Sequence, residues 1–215
     1  MNSFYYFNGF NAAIPEDYSG SPKVVAAANY ARHNGFRFRP VSVNYRAIDE
    51  HVERILDDAL QAGEQVVFCG SSLGGWLARI MQLLLAAARP GRDVRAIGWN
   101  PAFDLHAHGH MLLGPQVNQV TCEAYEWTPA QTARLQALES RVDYDAALPF
   151  YVYVDRADEV IDWQASAERH RPIARFLAFE GGSHSFEHFD AALADFGQQI
   201  ERSGGDSSGG RGRRA

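Results

Sequence analysis

The stretch CGSSLGG (residues 69–75) sets two adjacent serines among three glycines, between the apolar run QVVF (65–68) and the long apolar segment WLARIMQLLLAAA (76–88). Read as Gly-x-Ser-x-Gly, only Ser72 is framed correctly, with Gly70 two residues before it and Gly74 two after. A strand that turns sharply into a helix crowds its own backbone, so glycine is needed on either side of the residue at the apex. Such a turn lifts the apex side chain above the sheet edge and aims the first amides of the helix at whatever that side chain holds. Ser71 has Cys69 and Leu73 two residues away and reads as a turn residue, while Cys69 reads as a packed small hydrophobe at the strand end. The competing reading, a glycine turn that merely contains serine, is disfavoured by the strand before it and the helix after it.

Working outward, short β-branched and aromatic runs alternate with helix-period segments and no internal repeat is present, the pattern of a mostly parallel sheet covered on both faces. Strands are expected at 3–7, 39–45, 65–69, 94–99, 150–155 and 174–180, and helices at about 21–33, 48–62, 74–89, 128–140, 162–170 and 186–201. Ile48, Val52, Ile55, Leu56, Ala59 and Leu60 fall on one stripe of the second helix, with acidic residues opposite. The third helix is apolar on most sides and should lie deep, holding the glycine turn rigid. About 50 residues separate the strand ending at Trp99 from the one starting at Phe150, too many for a plain crossover. Part of that segment, within about 103–147, should form a small cap on a single α/β domain spanning 1–202.

Of the 215 residues 46% are apolar and 21% charged, enough for one globular domain with a full core. A net charge of -6 with no basic stripe in the body of the chain does not suggest a nucleic-acid partner. The longest apolar stretch, around MQLLLAAA, is broken by Gln82 and falls short of the roughly 18–20 residues of a membrane span. Only Cys69 and Cys122 occur, and MNSFYYFNGF lacks the basic and apolar regions of a secretory signal, so the expected setting is reducing and cytoplasmic. The Gly/Ser/Arg tail, 203–215, is expected to be disordered.

A serine hydroxyl needs a base to take its proton and donors to hold the oxyanion that forms. In the architecture expected here the acid follows a later strand and the histidine follows the last one. The segment after strand 174–180 is GGSHSFEHF (181–189), in which His184 sits in a glycine-led loop and is favoured as base over His188, read as a solvent-facing helix residue. The segment after strand 150–155 is RADEVIDW (156–163). Asp155 belongs with the strand, Asp162 reads as a helix N-cap, and Asp158, with Glu159 beside it, lies in the loop where it can orient His184. One oxyanion donor should be the amide of Leu73. The other should come from the loop after the first strand, YYFNGFNAA (5–13), where Gly9 permits close approach and Phe10 supplies the amide.

With these pieces in place the sequence resembles the YqiA-type small bacterial esterases of the α/β-hydrolase superfamily. The resemblance is carried by FNGFNAAIPEDYSGSPK (7–23), CGSSLGGWLA (69–78), NPAF (100–103), ADEVIDW (157–163) and EGGSHSFEHF (180–189), in order, and covers residues 4 to about 200. It implies a carboxylester or thioester hydrolase acting on acyl esters of simple alcohols and on acyl-CoA, with Ser72, Asp158 and His184 as nucleophile, acid and base and with no metal or organic cofactor. The family commonly has His-Gly-Phe where this chain has Asn8, Gly9 and Phe10, which puts any orienting role of that histidine in question while leaving backbone donation from Phe10 available.

Two other features compete for attention. DLHAHGHMLL (104–113) places His106, His108 and His110 at alternate positions, which could present three imidazoles to zinc; Gly109 breaks the run, and a polar cap segment is the preferred reading. Phe103, Met111, Leu112 and Leu113 are candidates to line an acyl pocket, or are simply the cap's own packing. A non-catalytic hydrolase-fold binding protein, and an acyltransferase or depolymerase using the same three residues, remain the alternatives to an esterase.

Overall fold

The computed structural model describes residues 1–205 apart from Ser19. Six parallel strands form the central sheet: β1 (Ser3–Phe7), β2 (Arg37–Val41), β3 (Gln65–Ser71), β4 (Asp93–Trp99), β7 (Phe150–Asp155) and β8 (Arg175–Phe179), in the order β2-β1-β3-β4-β7-β8. Strand alternation divides the core cleanly. Phe4, Tyr6, Val67 and Cys69 face one side, where α1 (Pro22–His33) and α7 (Phe189–Gly205) pack. Tyr5, Phe7, Val66 and Phe68 face the other, beneath α2 (Ile48–Leu60) and α3 (Leu73–Ala88). On α2 the expected stripe is the buried one. Ile48, Val52 and Ile55 are almost fully covered, each contributing about 1.5–3 kcal/mol of transfer free energy. The tail expected to be disordered lies, from 206 onward, outside the described residues; α7 itself extends to Gly205.

Between β4 and β7 the chain builds α4 (Leu105–His108), a 3₁₀ turn (Gly109–Leu112), an antiparallel hairpin of β5 (Gly114–Val117) and β6 (Ala124–Trp127), and α5 (Pro129–Glu139). This excursion shares its core with the main body, because Leu105, Trp127, Leu135 and Leu138 join the cluster that contains Trp76 and Leu77. Glu139 ties it down: one carboxylate oxygen accepts from Trp76 Nε1 (2.9 Å) and the other from the Leu105 amide (3.1 Å). The return to β7 is held by Arg79, buried within α3. Its guanidinium donates to the carbonyls of Tyr144 (2.8 Å) and Ala146 (2.6 Å) and to Gln82 (2.7 Å). Burial lowers the Arg79 pKa to about 10, so it stays charged at neutral pH among carbonyl acceptors.

Several boundaries differ from expectation, among them the start of β2 at Arg37 and the end of β3 at Ser71, and two of the differences have identifiable reasons. The second strand ends at Val41 rather than 45, because the amide of Val43 leaves the sheet to donate to the Asn8 side chain (2.6 Å). The last helix starts at Phe189 rather than 186, because the Glu187 amide and the His188 ring are both taken by Asp155.

Candidate active site

The turn after β3 is built as the glycines require. Ser72 stands between β3 and α3 with φ 55° and ψ −127°, a strained conformation for a residue with a side chain. A Cβ on Gly70 would lie 2.4 Å from the Gly74 carbonyl, and one on Gly74 would lie 2.4 Å from the Phe7 carbonyl oxygen. No side chain can replace either hydrogen without moving backbone. Ser71 is the last residue of β3 and accepts a hydrogen bond from Lys23 Nζ (3.1 Å), away from Ser72. Cys69 is fully buried mid-strand, and burial pushes its thiol well above the ordinary range, which leaves it un-ionised.

Ser72, His184 and Asp158 meet. Ser72 Oγ is 3.1 Å from His184 Nε2, and His184 Nδ1 is 3.0 Å from both carboxylate oxygens of Asp158. The Asp158 side chain is buried, which by itself would raise its pKa. The hydrogen bond with His184 and those from the amides of Ile161 (2.9 Å) and Val160 (2.8 Å) outweigh burial and hold it below the usual carboxylate range. Glu159 takes a different part, accepting from the His184 backbone amide (2.9 Å). Asp162 caps α6 (Trp163–His170) by accepting from the Gln164 amide (2.8 Å).

The loop after β1 runs directly against the turn: a Cβ on Gly9 would come 3.3 Å from Ser72 Cβ. Leu73 opens α3, so its amide is among those without a carbonyl partner inside the helix. Phe10 and Leu73 border the same cavity as Ser72, and the Phe10 ring packs edge-on against Trp127 at 5.0 Å. Asn8 organises this loop. Its Oδ1 accepts from the Val43 amide, its Nδ2 donates to the carbonyls of Ala12 (2.7 Å) and Gly9 (2.9 Å), and its own carbonyl accepts from Tyr45 Oη (2.6 Å).

Three residues in this network were not assigned a part from sequence. Asp155, fully buried at the end of β7, accepts from the amides of Ser183 (3.3 Å) and Glu187 (2.7 Å) and contacts His188 Nδ1 (2.7 Å), so it brackets the loop that carries His184. Gly182, at φ 75°, lies so close that a Cβ there would overlap the Asp155 carboxylate. Asn100 links the pieces: its Oδ1 accepts from the Asp155 amide (2.8 Å) and its Nδ2 donates to the Ser183 carbonyl (2.9 Å). His188 is therefore not a solvent-facing helix residue. It precedes α7, pairs with Asp155 and stacks on Phe179 with the rings 7° from parallel. The asparagine of NPAF was the available signal for Asn100, and a carboxylate at a buried strand end was the signal for Asp155.

A cavity of about 290 Å³ opens beside Ser72. Phe103, Met111 and Leu112 line it, as do Leu105, Val160 and Ile161; Leu113 does not. The histidine run is helical rather than extended and its rings diverge: His106 contacts Ser140 (3.0 Å), His110 the Ala107 carbonyl (2.8 Å), and His108 the Phe103 ring (5.6 Å). Among the described residues no group of three or more histidine, cysteine or acidic side chains is arranged to hold a metal ion.

A parallel sheet, helices on both faces and a strand-turn-helix serine define the α/β-hydrolase fold, and solved structures agree. Est1E from Butyrivibrio proteoclasticus is similar with a TM-score of 0.65 at 12% identity, over 94% of this chain and 89% of that one. Mouse alpha/beta hydrolase domain-containing protein 10 is similar with a TM-score of 0.66 at 19% identity, over 93% and 90%. Carboxyl esterase 2 from Tuber melanosporum is similar with a TM-score of 0.58 at 17% identity, over 93% and 75%. No curated protein matches the chain in sequence. The chain belongs to the uncharacterised protein family UPF0227, whose model matches residues 3–198, the YqiA-like family that the motifs resemble.

Proposed function

We propose that the protein is a serine hydrolase that cleaves carboxylic esters or thioesters through an acyl-enzyme on Ser72. The observation that carries this reading is the chain of contacts from Ser72 Oγ through His184 to the buried, ionised Asp158. His184 Nε2 takes the hydroxyl proton as Oγ attacks the acyl carbonyl carbon, and Asp158 holds the imidazole in orientation and stabilises its charge. The carbonyl oxygen, now an oxyanion, is held by the amides of Phe10 and Leu73. Collapse expels the alcohol or thiol, which leaves with the proton from His184. A water molecule then gives a proton to His184 and attacks the acyl carbon, releasing the carboxylic acid and restoring Ser72.

The unpaired Cys69 and Cys122 support a reducing, cytoplasmic setting. Among the described residues no helix is long and apolar enough to cross a membrane.

A fluorophosphonate probe tests the reading. Wild type is expected to be labelled and Ser72→Ala, folded by circular dichroism, is not. A folded wild type that resists labelling would instead support a non-catalytic binding protein. Labelling with acyl transfer to an added alcohol faster than to water would point to an acyltransferase.

A further inference from the structure

We propose that Lys23 is a positioning residue whose ammonium braces the serine turn against the loop that carries His184, and that Ser72 reacts only while this ammonium is charged. The inference rests on Ser72 being the nucleophile of the esterase reading. Lys23 stands in the first turn of α1, half-buried, one turn before the fully covered Ala27. Strand alternation brings Cys69 and Ser71 of β3 to the face on which α1 packs. Lys23 Nζ reaches across that interface and donates to Ser71 Oγ (3.1 Å). By local rules a lysine is badly placed there. Burial disfavours its charge, and the N-terminal end of a helix is the positive end of its dipole. α1 has no acidic residue in its first turn to offset either effect. The cation is held instead from across the interface, by the Ser71 hydroxyl and the Asp155 carboxylate.

Those two partners belong to opposite halves of the site. Ser71 immediately precedes Ser72, whose positive φ persists only because its surroundings enforce it, and the Ser71 carbonyl lies against Gly9, 3.2 Å from where a Cβ would stand. Asp155 accepts from the amides of Ser183 and Glu187 and so fixes the segment bearing His184. One ammonium therefore acts on the turn of the nucleophile and on the loop of the base. Among the described residues, the titratable groups that act on it are the Cys69 thiol from β3 and Asp155 from β7. The Tyr6 phenol from β1 shares the Ser71 hydroxyl, and His188 pairs with the same Asp155 carboxylate. Burial pulls the Lys23 pKa down to about 8, with Cys69 and Asp155 opposing it only in part. Burial also pushes the Cys69 thiol and the Tyr6 phenol well upward. Lys23 thus loses its charge near pH 8 while the thiol and phenol beside it stay neutral.

The test is the rate of Ser72 labelling by a fluorophosphonate across pH, with Ser72→Ala as the blank and folding checked by circular dichroism at each pH. Wild-type labelling is expected to fall roughly tenfold or more as the pH rises from about 7 to about 9.5. Lys23→Met, of similar length and with no charge to desolvate, should keep the fold, label about tenfold more slowly at neutral pH and lose the alkaline limb. A displacement of about 1 Å at a reacting group can cost on the order of a hundredfold, so tenfold corresponds to a smaller shift. Lys23→Arg keeps its charge and should carry labelling flat through the same range. Ser71→Ala removes the acceptor and should move the limb to lower pH, whereas Cys69→Ala should leave it in place. A labelled wild type without an alkaline limb overturns the proposal. So does a Lys23→Met whose limb stays where it was, or whose rate at neutral pH is within twofold of wild type. In each case Ser72-dependent labelling leaves the esterase reading standing. Should Lys23→Met fail to fold, Ser71→Ala decides, and a limb at the wild-type pH overturns the proposal. A folded wild type that resists the probe at every pH overturns both readings together.

Discussion

Asn8→Ala tests whether the loop after β1 is held for catalysis. The substitution removes the acceptor of the buried Val43 amide (2.6 Å) and the donor to the carbonyls of Ala12 and Gly9. An orphaned buried amide costs about 1–3 kcal/mol, and each loop hydrogen bond contributes about 0.5–1.5 kcal/mol more. The two carbonyls are at intermediate exposure and regain water in part, so the net loss should be about 2–4 kcal/mol, within the 5–15 kcal/mol typical of a domain. Urea denaturation reads that loss directly. Losing an oxyanion donor outright costs about 10²–10³ in kcat. A loosened Phe10 amide should cost about tenfold to a hundredfold in kcat on a neutral ester, with KM changed much less. Asn8→His offers one acceptor and one donor, enough for Val43 and one carbonyl, and should keep more of both stability and kcat than alanine does. If Asn8→Ala loses the stability but keeps kcat within twofold, the loop is only structural and Phe10 is not an oxyanion donor.

Two further outcomes follow from other parts of the fold. His170, buried against the rings of Phe103 and Phe150, has its pKa lowered by burial from 6.5 to about 4. The unfolded chain therefore takes up a proton between pH 6.5 and 4 that the folded chain refuses, so stability falls as pH falls through that window by roughly 3 kcal/mol. His170→Phe, with its ring among rings, should flatten the dependence in urea melts at pH 4–7, and an unchanged slope would assign it to other groups. Gly181 and Gly182 both have φ 75°, but only Gly182 faces the Asp155 carboxylate. Gly181→Ala should cost about 1–2 kcal/mol of backbone strain with activity retained, whereas Gly182→Ala should also lower kcat/KM more than tenfold; equal effects would mean that Asp155 does not position His184.

The sheet, its helices and the serine turn were legible because each has a local signal: period-two alternation in β1 and β3, a stripe on α2, glycines at 70 and 74 around Ser72. That Asp158 and His184 would come together beside Ser72 could be read because fold order limits which loops reach that turn. Asp155, Asn100 and His188 could not, since their partners lie 28 to 83 residues away and no periodicity records such pairings. The end of β2 failed for the same reason: Val41 to Tyr45 still alternates like a strand, yet an asparagine 35 residues earlier claims the Val43 amide. The hairpin of β5 and β6 also escaped notice, as four-residue strands carry too few alternations to stand out.

The shared anchoring of two loops at Asp155 and Asn100 bears on how this edge of the fold would be lost or rebuilt. The segment bearing Asp158 leaves directly from Asp155, and the segment bearing His184 is fastened back onto it. Thermal unfolding should thus be an all-or-none event at this edge, with no long-lived species in which the Asp158 loop stays in place and the His184 loop has come away. For anyone grafting a new specificity onto the scaffold, residues 155–163 and 180–189 form one cassette, to be exchanged as a pair or not at all.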